Sequence, residues 1–227
     1  MTKPNILIFD FDGTLLDSFG SMKVAAKKTF LELNLPYPGD QTIMHYLHSG
    51  KQLNTILQEE SYRSEVDINV SLWVDRFYHH LQQNPEQTNH AFPGSITGLK
   101  TLKQHGFSLN IASNRSKKSI QSIIEQWEVE TLFDCVTGDL AGYRLKPEPD
   151  MFVDHIQIQY PNEALTSFLM IGDTQTDIDF AETIGIDCVI MRYSADENTP
   201  VLSNRHRTFG GFGSLVEWLV GDPGSAR

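Results

Sequence analysis

The stretch Ile6–Ser18, ILIFDFDGTLLDS, decides how the rest of the chain is read. Ile6 to Phe9 form a continuous apolar run with the length and composition of a buried strand. The run ends on Asp10, and a second carboxylate, Asp12, follows two positions later, directly before Gly13. Asp-Gly on its own is an ordinary turn. A strand that ends on paired acids can also deliver a catalytic carboxylate to a sheet edge. The segments further along the chain distinguish the two readings.

Similar apolar runs recur at NILIF (5–9), FSLNIA (107–112), SFLMI (167–171) and DCVIM (187–191). Segments of helical period lie between them. Ile120, Ile123, Ile124 and Trp127 mark one helix face, and Phe152, Val153, Ile156 and Tyr160 mark another. Short continuous strands alternating with helices predict an α/β fold, a doubly wound and mainly parallel sheet covered on both faces. Sites in such sheets form outside the carboxyl ends of the strands, so the residues after each strand carry the functional argument.

Residues 17–88 break the alternation. SMKVAAKKTFLEL, QTIMHYLHSGKQLNTILQEE and VSLWVDRFYHHLQQ read as helices, and no strand pattern lies among them. Turn-forming stretches, NLPYPGD within and NPEQTNHAFPG at the far end, punctuate the segment. The expected organisation is an α/β core made of 1–16 and 89–227 with a helical cap, 17–88, inserted after Asp12.

Composition excludes several classes. Hydrophobic residues make up 40% of the chain and charged residues 21%, as in an ordinary globular protein. A formal net charge of −11 argues against nucleic acid or an anionic membrane as partner. No apolar run reaches the length of a membrane span, and the N-terminus lacks the pattern of a signal peptide. The only cysteines, Cys135 and Cys188, lie far apart outside any CxxC pattern, which predicts free thiols and a cytoplasmic location.

The strand ends present a consistent chemistry. After the first come Asp10 and Asp12. After the second comes ASNRS, with Ser113 and Asn114 ahead of a helix. RLKPEPD contributes Lys146, and GDTQTD, after the next strand, contributes Asp173 and Asp177. Clustered aspartate oxygens suit a hard cation such as Mg²⁺, which offsets phosphate charge. A carboxylate can act as nucleophile through an aspartyl phosphate, and a neighbouring one as general acid and base. A serine hydroxyl with backbone N–H groups at a helix start binds an anion, and a lysine balances the charge. Taken singly, each feature has a plainer reading as turn, helix cap or solvated lysine. Their order after successive strands argues for phosphoryl transfer to or from a small phosphorylated metabolite.

DFDGTLLDS, ASN, KPEP and GDTQTD together resemble the four signatures of the haloacid-dehalogenase-type superfamily, in order, over nearly the whole chain. The inserted helices resemble the cap of its phosphoglycolate phosphatase and β-phosphoglucomutase relatives. The resemblance implies a Rossmann-like core and a phosphatase with Asp10 as nucleophile, Asp12 as acid and base, Ser113 and Asn114 at the substrate phosphate, and Lys146 bridging the acidic centre. It implies Mg²⁺ on the Asp10 carboxylate, the Asp12 carbonyl and Asp173, with Asp177 supporting the site. Lys51, in LHSGKQL, lies where a cap loop could reach substrate, which keeps a phosphonatase open beside a mutase or pyrophosphatase. Dehalogenases lack the acid at the position of Asp12. A phospho-aspartate signalling module would need its acceptor aspartate after a later strand, where Ser113 and Asn114 stand. The substrate and the oligomeric state stay open. His45 and His48 have no accompanying carboxylate motif for zinc, and the glycines of FGGFGS (209–214) read as a turn before a helix.

Overall fold

The computed structural model describes residues 4–48, 53–83, 90–193 and 206–221. The chain folds as two compact units. The first is left after Leu16 and re-entered at Ala91, and Asp17–His90 form the second.

The first unit is built on six strands: β1 (Ile6–Phe9), β2 (Ser108–Ser116), β3 (Cys135–Asp139), β4 (Phe168–Gly172), β5 (Asp187–Met191) and β6 (Arg207–Phe209). All pairings are parallel, in the order β3-β2-β1-β4-β5-β6. Alternate side chains of a strand face opposite sides of a sheet, and both sides here are buried. Leu7, Phe9, Leu109, Ile111, Leu169 and Ile171 join one core cluster. Ile6, Ile8, Phe168, Met170 and Ile190 join the other. The first face is covered by the helices α5 (Ser95–Gln104), α6 (Lys117–Gln126) and α8 (Phe212–Val220) through Leu99, Leu102, Ile120, Ile123, Ile124, Phe212 and Leu215. The second is covered by α7 (Gln175–Ile184) and the Met151–Ile156 segment. The polar Asn110 within β2 is fully buried yet paired, donating to Leu7 O at 3.2 Å and accepting from Tyr160.

The structure departs from the sequence reading in four places. β3 and β6 are strands that the apolar-run criterion misses. CVTGD needs Gly138, because a Cβ there would collide with the Arg115 carbonyl and Ile120, and β6 is a three-residue edge strand with Arg207 and Thr208 exposed. β2 runs on to Ser116, so Ser113 and Asn114 lie within the strand rather than at the helix start. The expected helix over Phe152–Tyr160 is a wide π turn, Phe152–Ile156, followed by a 3-10 turn, Gln157–Gln159. Its face is correspondingly imperfect: Phe152 and Ile156 are buried, but Val153 is 45% exposed.

The second unit holds α1 (Phe19–Glu32), α2 (Asp40–His48), α3 (Leu53–Ser64) and α4 (Val70–Gln82). The expected helical stretch 41–60 is helical over its described residues, 41–48 in α2 and 53–60 in α3. Phe30 meets Trp73 edge-on and Trp73 stacks on Phe77, with centroids 5.3 and 5.2 Å apart. Asn69 caps α4 by accepting from the Leu72 N–H. No helix among the described residues is long and apolar enough to cross a membrane.

Candidate active site

The ends of β1, β2 and β4 meet on one edge of the sheet, where the strand order turns from one direction to the other around β1. β1 hands over to Asp10, whose N–H continues the ladder by donating to Ile171 O at 2.8 Å. Phe11 is buried and stacks on Trp127, anchoring the chain just beyond the carboxylate. A tight loop follows. The Leu15 and Leu16 N–H groups return to Phe11 O, and Gly13 adopts the left-handed region at φ 80°.

Lys146 joins the acids. Its Nζ donates to Asp10 Oδ1 at 2.8 Å and to Asp177 Oδ1 at 2.6 Å, and its side chain is 2% exposed. Asp177 Oδ2 accepts from the Asp173 N–H, the Thr174 N–H and the Thr174 hydroxyl, completing a capping box at the start of α7. Gly172 is obligatory for this packing, because a Cβ would run into the Asp177 side chain. Asp173 Oδ1 accepts from the Thr14 hydroxyl at 3.1 Å.

Electrostatics follow from two buried carboxylates, Asp10 and Asp177, and the half-buried Asp173 clustered about one ammonium. Burial raises the Asp10 carboxyl to about 7; Lys146 opposes the rise and Asp177 adds to it. Burial likewise holds Asp173 well above the usual carboxylate range, with the charges of Asp177 and Asp10 adding. For Lys146, burial disfavours the charged form, yet the pull of Asp10 and Asp177 overcomes it and keeps the ammonium protonated.

One oxygen each of Asp10, Asp173 and Asp177 lies within 4.8 Å of the others. This all-oxygen set carries more negative charge than Lys146 balances, so it fits a hard divalent cation. Asp177 differs from the other two, since both its oxygens are taken by protein donors. Among the described residues no histidine joins a metal-holding group, and His45 is exposed.

The remaining sequence candidates take distinct places. Asp12 is not part of the acidic trio; its carboxylate accepts from Arg115 Nη1 at 2.8 Å, and Arg115 Nε donates to Ser119. Ser113 is buried within β2, and its Oγ accepts from the Arg115 N–H. Asn114 spends its amide on the backbone of Lys146, donating to its carbonyl at 3.0 Å and accepting from its N–H at 2.8 Å. Lys51 and the side chain of His48 lie outside the described residues. In the second unit, Arg76 and His80 both bind Glu32 at 2.6 Å. Sequence reasoning missed Thr14, Arg115 and Thr174. Only Thr174 was signalled, by the Thr-x-x-Asp spacing of a capping box at 174–177.

The family model described as haloacid dehalogenase-like hydrolase matches residues 7–191. The phosphoglycolate phosphatase of Aquifex aeolicus is 28% identical over 184 residues, 79% of this chain and 81% of that one. A crystal structure from Haemophilus somnus, described as a predicted phosphoglycolate phosphatase, superposes with a TM-score of 0.77 at 21% identity, covering 96% of this chain and 99% of that chain. The Bacillus subtilis protein YfnB, crystallised with magnesium, superposes with a TM-score of 0.71 at 19% identity, covering 97% of this chain and all, 100%, of that one.

Proposed function

Because the chain belongs to the haloacid dehalogenase-like hydrolase family and is a phosphatase of its phosphoglycolate-phosphatase-like branch, we propose that it hydrolyses a small phosphomonoester through Asp10. The observation that carries this reading is Lys146 held between Asp10 and Asp177, with Asp173 in the same cluster.

An Asp10 oxygen attacks phosphorus in line as the bond to the leaving oxygen breaks, and Asp12 gives that oxygen a proton. Water then attacks the phosphoryl group on Asp10 and passes a proton to Asp12. The acyl–phosphate bond breaks, inorganic phosphate leaves, and Asp10 is restored. Ser113 and nearby N–H groups receive the phosphoryl oxygens, and Lys146 steadies the charge of Asp10. Asn114 fixes the Lys146 backbone. Mg²⁺, held by Asp10, Asp173 and the Asp12 carbonyl and braced by Asp177, would neutralise the phosphoryl oxygens. YfnB, crystallised with magnesium, supports that choice of cation. The inserted helices act as a cap that selects the leaving group, and the names of the sequence relatives make 2-phosphoglycolate the first substrate to try. The free thiols of Cys135 and Cys188 support a reducing, cytoplasmic setting.

The test is release of phosphate from p-nitrophenyl phosphate and a panel of phosphate esters, with Mg²⁺ and with EDTA. Catalytic, Mg²⁺-dependent release is expected, and a single stoichiometric phosphorylation would instead support a signalling module. Asp10→Asn should abolish turnover with an unchanged circular dichroism spectrum, and activity retained in that variant rules the mechanism out.

A further inference from the structure

The chain leaves the sheet unit through the loop Phe11–Leu16 and returns at Ala91, and the two segments touch. Leu16 forms an antiparallel bridge with Ala91, and the Phe92 N–H donates to Leu15 O at 2.9 Å. Tyr193, two residues beyond β5, grips both segments. Its ring stacks on Phe92 with centroids 3.7 Å apart and planes 5° from parallel. Its hydroxyl donates to the Thr14 carbonyl at 2.7 Å. Thr14 is fully buried, and its own hydroxyl donates to Asp173 Oδ1. A continuous relay therefore runs from the end of β5, through the loop after β1, to the carboxylate after β4.

We propose that Tyr193 is a positioning residue for Asp173: it fixes the Thr14 backbone so that the Thr14 hydroxyl holds one Asp173 oxygen and leaves the other directed to the cation. This rests on the reading of Asp173 as a cation ligand. A carbonyl only accepts, so the Tyr193 hydroxyl has to be the donor, and a phenylalanine would keep the ring stack while losing that bond. Burial, with the charge of Asp173 adding, pushes the Tyr193 phenol above its ordinary pKa and keeps it protonated as a donor. Partners that orient a ligand from behind set metal affinity by about 10- to 100-fold.

The test uses the full-length protein, Mg²⁺ alone as calorimetric probe, and p-nitrophenyl phosphate turnover. Tyr193→Phe should weaken Mg²⁺ binding by about 10-fold, while saturating Mg²⁺ restores kcat to within about twofold of wild type. Thr14→Val should do the same, and the double variant should bind Mg²⁺ no more weakly than Thr14→Val alone, because both substitutions cut one relay. An unchanged Mg²⁺ affinity in Tyr193→Phe, a kcat that excess Mg²⁺ does not restore, or losses that multiply in the double variant would each overturn the inference. Asp173→Asn separates the two levels. Wild-type affinity in that variant removes the ligand reading, and the inference with it. Lost binding there beside unaltered binding in Tyr193→Phe removes the inference alone.

Discussion

Lys146 Nζ lies 2.6 Å from Asp177 Oδ1, and the other oxygen of that carboxylate caps the helix after β4. One carboxylate thus joins the helix start to the lysine, and the lysine joins it to Asp10. Helix capping, burial of charge and the proposed phosphoryl chemistry share the same few atoms. A change at one of them should therefore register in stability and in turnover together.

Lys146→Met is the direct case. It removes the cation and leaves Asp10 and Asp177 facing each other in a buried site. Breaking a buried pair from one side costs about 3–5 kcal/mol, which urea unfolding at neutral pH should show. Turnover should fall by about 10²-fold or more, as for loss of a charge-stabilising donor. The stability loss should shrink near pH 5, where the orphaned Asp10 carboxyl, raised to about 7 even beside Lys146, is protonated. An equal loss at both pH values would mean that packing, not charge, holds the lysine.

Proton uptake also gives the metal-free protein a defined pH dependence. Burial, opposed by Lys146 and helped by Asp177, moves Asp10 from 3.8 to about 7, and burial moves Asp173 in the same direction. The folded state therefore retains protons that the unfolded chain releases near its ordinary carboxylate values. The stability tied to the neutral carboxyls is complete below the unfolded value of 3.8 and is lost as pH rises through about 7. The thermal midpoint of EDTA-treated protein should accordingly decline between about pH 4 and 7. Mg²⁺ should flatten the decline by taking over the role of the protons. A metal-free midpoint that rises across this window would contradict the assignment.

How legible these features were depends on their range along the chain. β1, β4 and β5 showed as continuous apolar runs because both sheet faces are covered, and the acids after β1 and β4 could be picked out by position alone. β3 did not, because Gly138 occupies a position where packing against Arg115 and Ile120 excludes bulk. Thr14 and Arg115 carried no signal either. Their partners, Asp173 and Asp12, stand 159 and 103 residues away, and spacing within one sequence does not encode such pairings. Asp177 lies between these cases. Its cap was readable from Thr174, whereas the saturation of both its oxygens emerged only from the folded geometry.

Asn114 offers a test of whether that residue meets substrate or holds the lysine loop. Both of its amide atoms bind the Lys146 backbone, at 3.0 and 2.8 Å. Asn114→Ala should thus lower kcat by about 10-fold or more through misplacement of Lys146, with KM for p-nitrophenyl phosphate nearly unchanged. A raised KM with unaltered kcat would identify a substrate contact instead.

Gly172 closes the β4 end against Asp177, and its substitution isolates that packing from any change of charge. A Cβ at Gly172 would overlap Cβ, Cγ and Oδ2 of Asp177, so alanine forces the carboxylate away from the Asp173 and Thr174 N–H groups. The displaced carboxylate also leaves Lys146, whose remaining carboxylate partner is then Asp10. Gly172→Ala should destabilise the fold by about 1–3 kcal/mol, the usual cost of overpacking a tight site. It should lower Mg²⁺ affinity as well, although no charged group has been removed. Chemical denaturation and Mg²⁺ calorimetry on the same preparation measure the two effects. A folded variant with wild-type Mg²⁺ affinity would show that Asp177 can move without disturbing the cation ligands, and would reduce its role to capping the helix.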